Sequence, residues 1–394
     1  MTSITRAAAG LVAVGVAILL VVGAVILSGD DATEASGPIV AVQDDHLPVD
    51  PIETIPARLD LIADTGVTTT RVDLHWFAIA PSRPEDPRDP SDPAYDWARA
   101  DLIVLGLQER GITPIVSAYN TPPWASGGER EPGIVDNTLA PDPGDFADFM
   151  HALALRYSGT TASPGGDTLP EVRRFEIWNE PNLPGFWMPQ CRNRRGRAVL
   201  VSPRVYAALL AASYREVKRA APAIEVVGGV TGPAGRSPAS CPRDGRAAAG
   251  SLDFARMVAD EGPRLDAWSL HLYPLGGPLQ AFFVPSWNTL PQVLRQVDRL
   301  RPGAPIHVTE TGYHTSYNRF HRYFVSEAQQ AAWVDETVVA AARQPRVQVV
   351  TWFNFQDNPR WTGGLLRGDG SRKPSYDRFV AQAAANPPPP GWTG

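Results

Sequence analysis

Two glutamates stand at the ends of apolar runs far apart in the chain. One is Glu180, in Phe175-Glu176-Ile177-Trp178-Asn179-Glu180-Pro181-Asn182; the other is Glu310, in Val308-Thr309-Glu310-Thr311-Gly312. A carboxyl pair on one rim can divide the hydrolysis of a glycosidic bond, one group protonating the departing oxygen and the other attacking carbon or activating water. A single rim glutamate says little, because a solvated carboxylate needs no function. A rival constellation is His46, His75 and His271 with Asp44, Asp45 and Asp73, the imidazole and carboxylate ligands of a metal-dependent hydrolase. No His-x-His occurs on the first apolar run, and hydrogen-bonding rim histidines account for these residues better, so no metal and no cofactor is expected.

The elements that must position the glutamates read as repeated strand-helix units. Short apolar runs cover 39–43, 70–76, 114–119, 174–178, 225–230, 267–272, 306–309 and 347–353. Stretches of helical period follow each in turn, over 51–65, 95–110, 143–157, 202–220, 251–261, 287–300, 326–343 and, more weakly, 374–385. Eight such pairs predict a single α/β domain, a (β/α)8 TIM barrel over residues 38–386. The Pro-, Gly- and Asp-rich connections 77–94, 121–142, 181–201, 231–250 and 311–325 all follow strands, whereas returns such as Arg110-Gly111-Ile112 are brief. Long βα loops build the C-terminal face, where barrel enzymes keep their sites. A doubly wound open sheet would need a Gly-rich turn after the first strand, and Gln43-Asp44-Asp45-His46 is not one. In the barrel, Glu180 ends strand four and Glu310 strand seven, so they face each other across the mouth.

Here the residues carry a resemblance. Trp178-Asn179-Glu180-Pro181-Asn182 together with Thr309-Glu310-Thr311-Gly312 resembles glycoside hydrolase clan A, the retaining (β/α)8 glycosidases. Within the clan the chain is most similar to families 39 and 5. Arg71-Val72-Asp73-Leu74-His75-Trp76 resembles their strand-two pattern and Tyr119-Asn120-Thr121-Pro122-Pro123-Trp124 their strand-three end; His271-Leu272-Tyr273 and Trp352 match strands six and eight. The resemblance implies Glu180 as acid/base and Glu310 as nucleophile, with carboxyl groups about 5–5.5 Å apart. It also implies Asn179 on a sugar 2-hydroxyl, Arg71 and Tyr273 donating to Glu310 and lowering its pKa, and Trp352 flooring the subsite of the reacting sugar. Trp76, Asn120, Trp124 and His271 complete the implied substrate-binding set. Trp124, Trp187 and Trp361 are open between sugar-stacking platforms and loop-anchoring core. The expected activity is retaining cleavage of a β-linked oligo- or polysaccharide by a monomer; the alternative is a catalytically silent carbohydrate-binding barrel tethered to the cell envelope.

Composition bounds the rest. With 43% apolar and 20% charged residues among 394 the chain can bury a large core, which excludes wholesale disorder. A net charge of -6 repels phosphate backbones, so nucleic acid is not an expected partner. Arg192, Arg194, Arg195 and Arg197 go against that average, either as readers of an acidic sugar or as a solvated or internally paired loop. Ala7–Leu27 carries no charge and is about the ~20 residues that cross a bilayer as a helix. Arg6 before it and Asp30, Asp31 and Glu34 after it predict a cytoplasmic stub (1–6), a signal-anchor (7–27), a linker (28–37) and an extracytoplasmic body. A cleaved signal peptide is the alternative, with Thr33-Glu34-Ala35 a poor cleavage site. Cys191 and Cys241 fall in loops after neighbouring strands, and a disulfide is preferred to two free thiols in an exported protein. Residues 387–394 read as a Pro-rich tail with no core of its own.

Overall fold

The computed structural model describes residues 37–126, 136–163, 165–233, 237–279, 286–317 and 321–392. The expected anchor Ala7–Leu27, the stub before it and the linker up to Ser36 lie outside the described residues. Among the described residues no helix is long and apolar enough to cross a membrane.

Eight parallel strands close into a barrel. They are β1 (Ile39–Gln43), β2 (Thr69–His75), β3 (Thr113–Tyr119), β4 (Arg174–Ile177), β5 (Glu225–Thr231), β6 (Ala267–Leu272), β7 (Ile306–Thr311) and β8 (Val347–Phe353), each paired with the next and β8 with β1. The main helices between and after them are α1 (Ile55–Ala63), α2 (Ala98–Glu109), α3 (Pro143–Arg156), α4 (Ser202–Ala220), α5 (Ser251–Glu261), α6 (Leu290–Val297), α7 (Glu327–Ala342) and α8 (Pro374–Ala385). The helix starts follow local chemistry. Asp142 accepts from the Gly144 and Asp145 amides ahead of Pro143, and Ser326 accepts from Gln329, so orphan N–H groups of α3 and α7 are satisfied. The expected (β/α)8 order therefore holds, with ends shifted by a few residues. The most shortened are α1, expected over 51–65, and α6, expected over 287–300, each by six residues; ahead of α6, Ser286 and Thr289 pair with each other.

Strand side chains alternate between two cores. Val40, Val42, Val72, Leu74, Val116, Ala118, Phe175 and Ile177 pack outward against the helices, while Ile39, Ala41, Ile115 and Val349 point into the barrel. With these interior residues packs Trp392, from the segment expected to have no core of its own. Its indole N–H donates to Thr69 Oγ1 at 2.8 Å, the Arg174 guanidinium lies 3.4 Å over its ring, and Arg174 donates to its carbonyl. The tail is thus a plug for the base of the barrel, since the narrow interior left by Ala41 needs one large ring to fill it. Above this layer the interior turns polar, with Gln43, Arg71, Ser117 and Glu176 all buried.

A second difference lies in the loop after β4. A hairpin, Cys191–Arg194 paired with Arg197–Leu200, rises from it, and Cys191 is disulfide-bonded to Cys241 in the loop after β5, as expected. Replacing Trp392 by Ala should cost about 3–5 kcal/mol, the usual loss for emptying a buried aromatic site. Chemical denaturation measures this, and an unchanged midpoint would show that the base closes without the plug.

Candidate active site

Arg71, fully buried on β2, organises the barrel mouth. A guanidinium carries five N–H donors, and each of these finds an acceptor. Nε donates to Glu176 Oε2 at 2.7 Å; Nη1 donates to Gln43 Oε1 at 2.5 Å and Glu310 Oε1 at 2.9 Å; Nη2 donates to Ser117 Oγ at 3.0 Å and Asn179 Oδ1 at 2.7 Å. Asp73 adds a carboxylate oxygen 3.3 Å from Nη1. Burial works to lower the Arg71 pKa, but Glu176, Asp73 and Glu310 outweigh it and the pKa is raised, so the cation is permanent. In return Arg71 holds Glu176 below the ordinary carboxyl range in spite of burial.

Simple strand alternation would turn only one of Asn179 and Glu180 inward, yet both line the mouth. Trp178 (φ 74°) and Glu180 (φ 43°) occupy the left-handed region, which re-aims the chain just past β4. Asn120 (φ 70°) and Val230 (φ 46°) do the same past β3 and in β5, and Val230 is β-branched. Such conformations cost on the order of 1–3 kcal/mol each and collect at functional sites. The Glu180 N–H is held by the Val230 carbonyl at 2.9 Å. Gly232 follows: a Cβ there would come within 2.7 Å of the Glu180 carboxyl carbon, so only glycine leaves that side chain room. On β7 the register against β6 jumps from Leu270↔Val308 to His271↔Glu310, and this bulge turns Glu310 inward beside Thr309.

The two glutamates meet at His271. Its Nδ1 lies 2.8 Å from Glu180 Oε1 and 3.3 Å from Glu310 Oε2, and one oxygen of each carboxyl and the ring nitrogen lie within 4.8 Å of one another. Tyr273 donates to Glu310 Oε2 at 2.7 Å, so both oxygens of Glu310 are held. Burial pushes the Glu180 pKa up to about 8, against Arg71 and helped by Asp73. Burial also pushes Glu310 up to about 7, against His271 and Arg71. The lowered pKa expected for Glu310 from its donors is therefore corrected: desolvation wins, because the single guanidinium charge is shared among Glu176, Asp73 and Glu310. Burial lowers the His271 pKa, which favours the neutral ring.

The other expected residues divide. Asn120 sits at the rim, half-buried, at the end of β3. Trp76 is corrected: it is fully buried, stacked on Phe149 with its edge to Trp124 and Phe146, and so offers no face to a sugar. Trp124 anchors its loop, its N–H donating to the Ala80 carbonyl and Arg83 covering its ring, and Trp187 is core against Trp178. Trp352 is corrected by one residue of register. Its buried ring packs outward on Tyr313, which stacks near Trp333 of α7, whereas Phe353 is the side chain that meets Tyr273. Trp361, 5.0 Å from Tyr273 and donating to the Phe353 carbonyl, is the tryptophan that borders the site. Missed altogether were Gln43, Ser117 and Glu176; the available signal was a polar residue at an inward position of an otherwise apolar strand, which burial obliges to find a partner.

The three histidines of the metal reading go to different partners: His46 bonds Asp50, His75 stacks on Phe77, and only His271 joins the glutamates. Glu180, His271 and Glu310 do present three ligand atoms together, but a metal ion there would face the Arg71 cation, itself 2.9 Å from Glu310. Asp44 is taken by Arg58 at 2.6 Å. Asp45 has its pKa raised well above the ordinary value by burial and by Asp73, Glu310 and Asp44. A groove of about 630 Å³ lies at the opposite end of the barrel, where Thr68, Gln108, Thr113 and Arg173 line it with Pro388; none of these carboxyls lines it.

No protein-family model and no curated protein matches the chain. Solved structures share its fold. A family 39 glycoside hydrolase from the gut symbiont Bacteroides cellulosilyticus superposes with a TM-score of 0.61 at 23% identity, over 89% of this chain and 64% of that one. A family 39 β-xylosidase from Caulobacter crescentus gives 0.57 at 22% identity, over 89% and 73%. A variant of a family 5 enzyme from Streptomyces cattleya, in complex with Manβ1-4GlcNAc, gives 0.59 at 16% identity, over 88% and 80%. The chain thus spans less than two thirds of the Bacteroides enzyme's length, and its fold is that of the two families its sequence resembles.

A pH test follows from the buried acid. The folded-state pKa of Glu180, about 8, lies above its ordinary 4.5, so the stability that this group contributes is full below about pH 4.5 and is lost as pH rises through 8. Glu180→Gln cannot charge. The melting temperature of the variant relative to the parent should therefore climb between about pH 5 and 8 and be flat below. A difference independent of pH would show that the Glu180 pKa is unshifted.

Proposed function

We propose that the chain is a retaining glycosidase that cleaves a β-linked oligo- or polysaccharide by double displacement. The observation that carries this reading is the closeness of Glu180 and Glu310 around His271, with oxygens within 4.8 Å. Retaining enzymes keep their carboxyls about 5–5.5 Å apart, while inverting ones need about 6.5–9.5 Å to admit a water between them. The three solved structures compared above are glycoside hydrolases, which agrees.

In this mechanism Glu310 attacks the anomeric carbon while Glu180, the group with the higher pKa, protonates the departing oxygen. Arg71 and Tyr273 hold the two Glu310 oxygens in place for attack and stabilise the carboxylate when it leaves again. Glu180, now ionised, then takes a proton from the water that opens the glycosyl-enzyme. Asn179 turns its Oδ1 to Arg71, which fixes its amide N–H donors as the groups that meet the sugar 2-hydroxyl. Phe353 and Trp361 are the apolar wall of the reacting subsite. The Cys191–Cys241 disulfide favours an oxidising compartment, consistent with an exported body tethered by Ala7–Leu27.

Glu180→Gln should lower turnover of ordinary glycosides by about 10²–10⁴-fold. Activated aryl glycosides, which need no protonation to depart, should still form the intermediate, and azide should restore their turnover to give a glycosyl azide of retained configuration. Glu310→Gln should be inactive on every substrate, and a 2-fluoro glycoside should label Glu310 in the parent. Unchanged hydrolysis after Glu180→Gln would rule out the catalytic assignment, and sugar binding without any turnover in the parent would leave a binding barrel.

A further inference from the structure

The loops after β4 and β5 form one body, joined by the Cys191–Cys241 disulfide. Its hairpin turns through Arg195 (φ 51°) and Gly196 (φ 75°), positive φ at both central positions, as a tight two-residue hairpin demands. Arg194 lies directly opposite Arg197 and Arg192 opposite Val199, so these four side chains share one face. The other face carries Cys191, bonded to Cys241, and Asn193, which donates to the Cys241 carbonyl at 2.8 Å. That face is turned to the β5 loop, and the arginine face is turned away from it.

Arg192, Arg194, Arg195 and Arg197 are all exposed, and none has an ion-pair partner among the described residues. The neighbouring loop adds exposed Arg243 and Arg246 and one acid, Asp244, whose carboxylate is engaged with the Arg246 amide at 3.0 Å. Four exposed arginines on one ten-residue hairpin stand out in a chain whose net charge is -6. Like charges directly opposite each other in an antiparallel pair repel, so the Arg194–Arg197 pair works against the hairpin that displays it. The disulfide and the turn hold the pair in place, and an anion across both guanidiniums would relieve it.

We propose that this face binds a polyanionic carbohydrate chain carrying carboxylates in series. Planar guanidinium forks match carboxylates bidentately, and short arginine-rich segments are recognised footprints for polyanions. The body springs from the same rim as the carboxyl pair: Asn182, two residues after Glu180, clamps Gly232 and the Ala249 carbonyl, and a Cβ at Gly232 would meet the Glu180 carboxyl. The inference rests on surface charge and does not require that the chain hydrolyse glycosides.

Binding of the full chain to polygalacturonate, to its fully methyl-esterified form and to polyphosphate, each at rising NaCl, tests it. The acidic polymer should bind at low salt and be released as salt rises, with the esterified form weaker by about tenfold or more. R192Q/R194Q/R195Q/R197Q should lose about tenfold or more in affinity for polygalacturonate, and R194Q/R197Q a smaller part of it. Both variants should melt at or above the parent's temperature, since a repulsive pair is gone. Equal affinity of parent and variants, equal binding of the esterified polymer, or binding of polyphosphate alone would overturn the proposal.

Discussion

Five strands of the barrel depend on one buried cation. Arg71 on β2 reaches Gln43 on β1, Ser117 on β3, Glu176 on β4, Asn179 just past β4 and Glu310 on β7, spending every N–H it has. A guanidinium in the interior is tolerable only if its donors are all met and its charge is balanced, and here carboxylates balance it. The same condition fixes function. Glu310 cannot swing away without leaving Arg71 short of an acceptor, so the cation that stabilises the barrel interior also fixes the rotamer of the nucleophile proposed here. Truncating Arg71 would leave Glu176, Asp73 and Glu310 as buried carboxyls without a cation, a far larger fault than the loss of one hydrogen bond.

Around this centre, electrostatics and backbone geometry pull in a common direction. Burial raises Glu180 and Glu310 together, and Arg71 opposes the rise in both. Close approach of the pair is made possible by left-handed turns at Trp178 and Glu180 and by the β7 bulge, which break the two-residue alternation where consecutive side chains must face the same way. Rigid neighbours hold these strained residues: the Val230 carbonyl takes the Glu180 amide, and Trp178 is locked between Phe146 and Trp187.

The two ends of the barrel are finished differently. At the base, Trp392 packs beneath the interior layer, sandwiched against Arg174 and bonded to Thr69, so that residues distant in sequence close the gap left by small strand side chains. At the rim, loops are stiffened by local pairing: Asp44 with Arg58, Trp124 with Ala80 and Arg83, Cys191 with Cys241. Structured loops of this kind can carry charge where it is unfavourable for folding alone, and the arginine hairpin is the clearest instance.

The order of eight strand-helix units, the face that carries the long loops and the two rim glutamates were legible in the sequence, because apolar periodicity and Pro/Gly placement are local signals set by burial and backbone sterics. The motif at Trp178 to Asn182 and the pair His271 and Tyr273 were legible through the resemblance to glycoside hydrolase clan A, with the apolar runs placing them at strand ends. What a single side chain faces was not. Trp352 and Phe353 are adjacent, and one residue of register decides which of them sees the site; Trp76, which the resemblance implies as substrate-binding, is buried by Phe149 of α3. The proton affinity of Glu310 also belongs to the folded molecule, since it balances desolvation against a cation shared by strands far apart in the chain. The sequence by itself determined the repeat, the rim and the chemical types gathered there, through interactions that act over a few residues. Only the tertiary structure decided which inward positions share Arg71, where Trp392 docks and that the hairpin arginines have no ion-pair partner among the described residues, because each depends on which distant residues are brought into contact and on how much water is left between them.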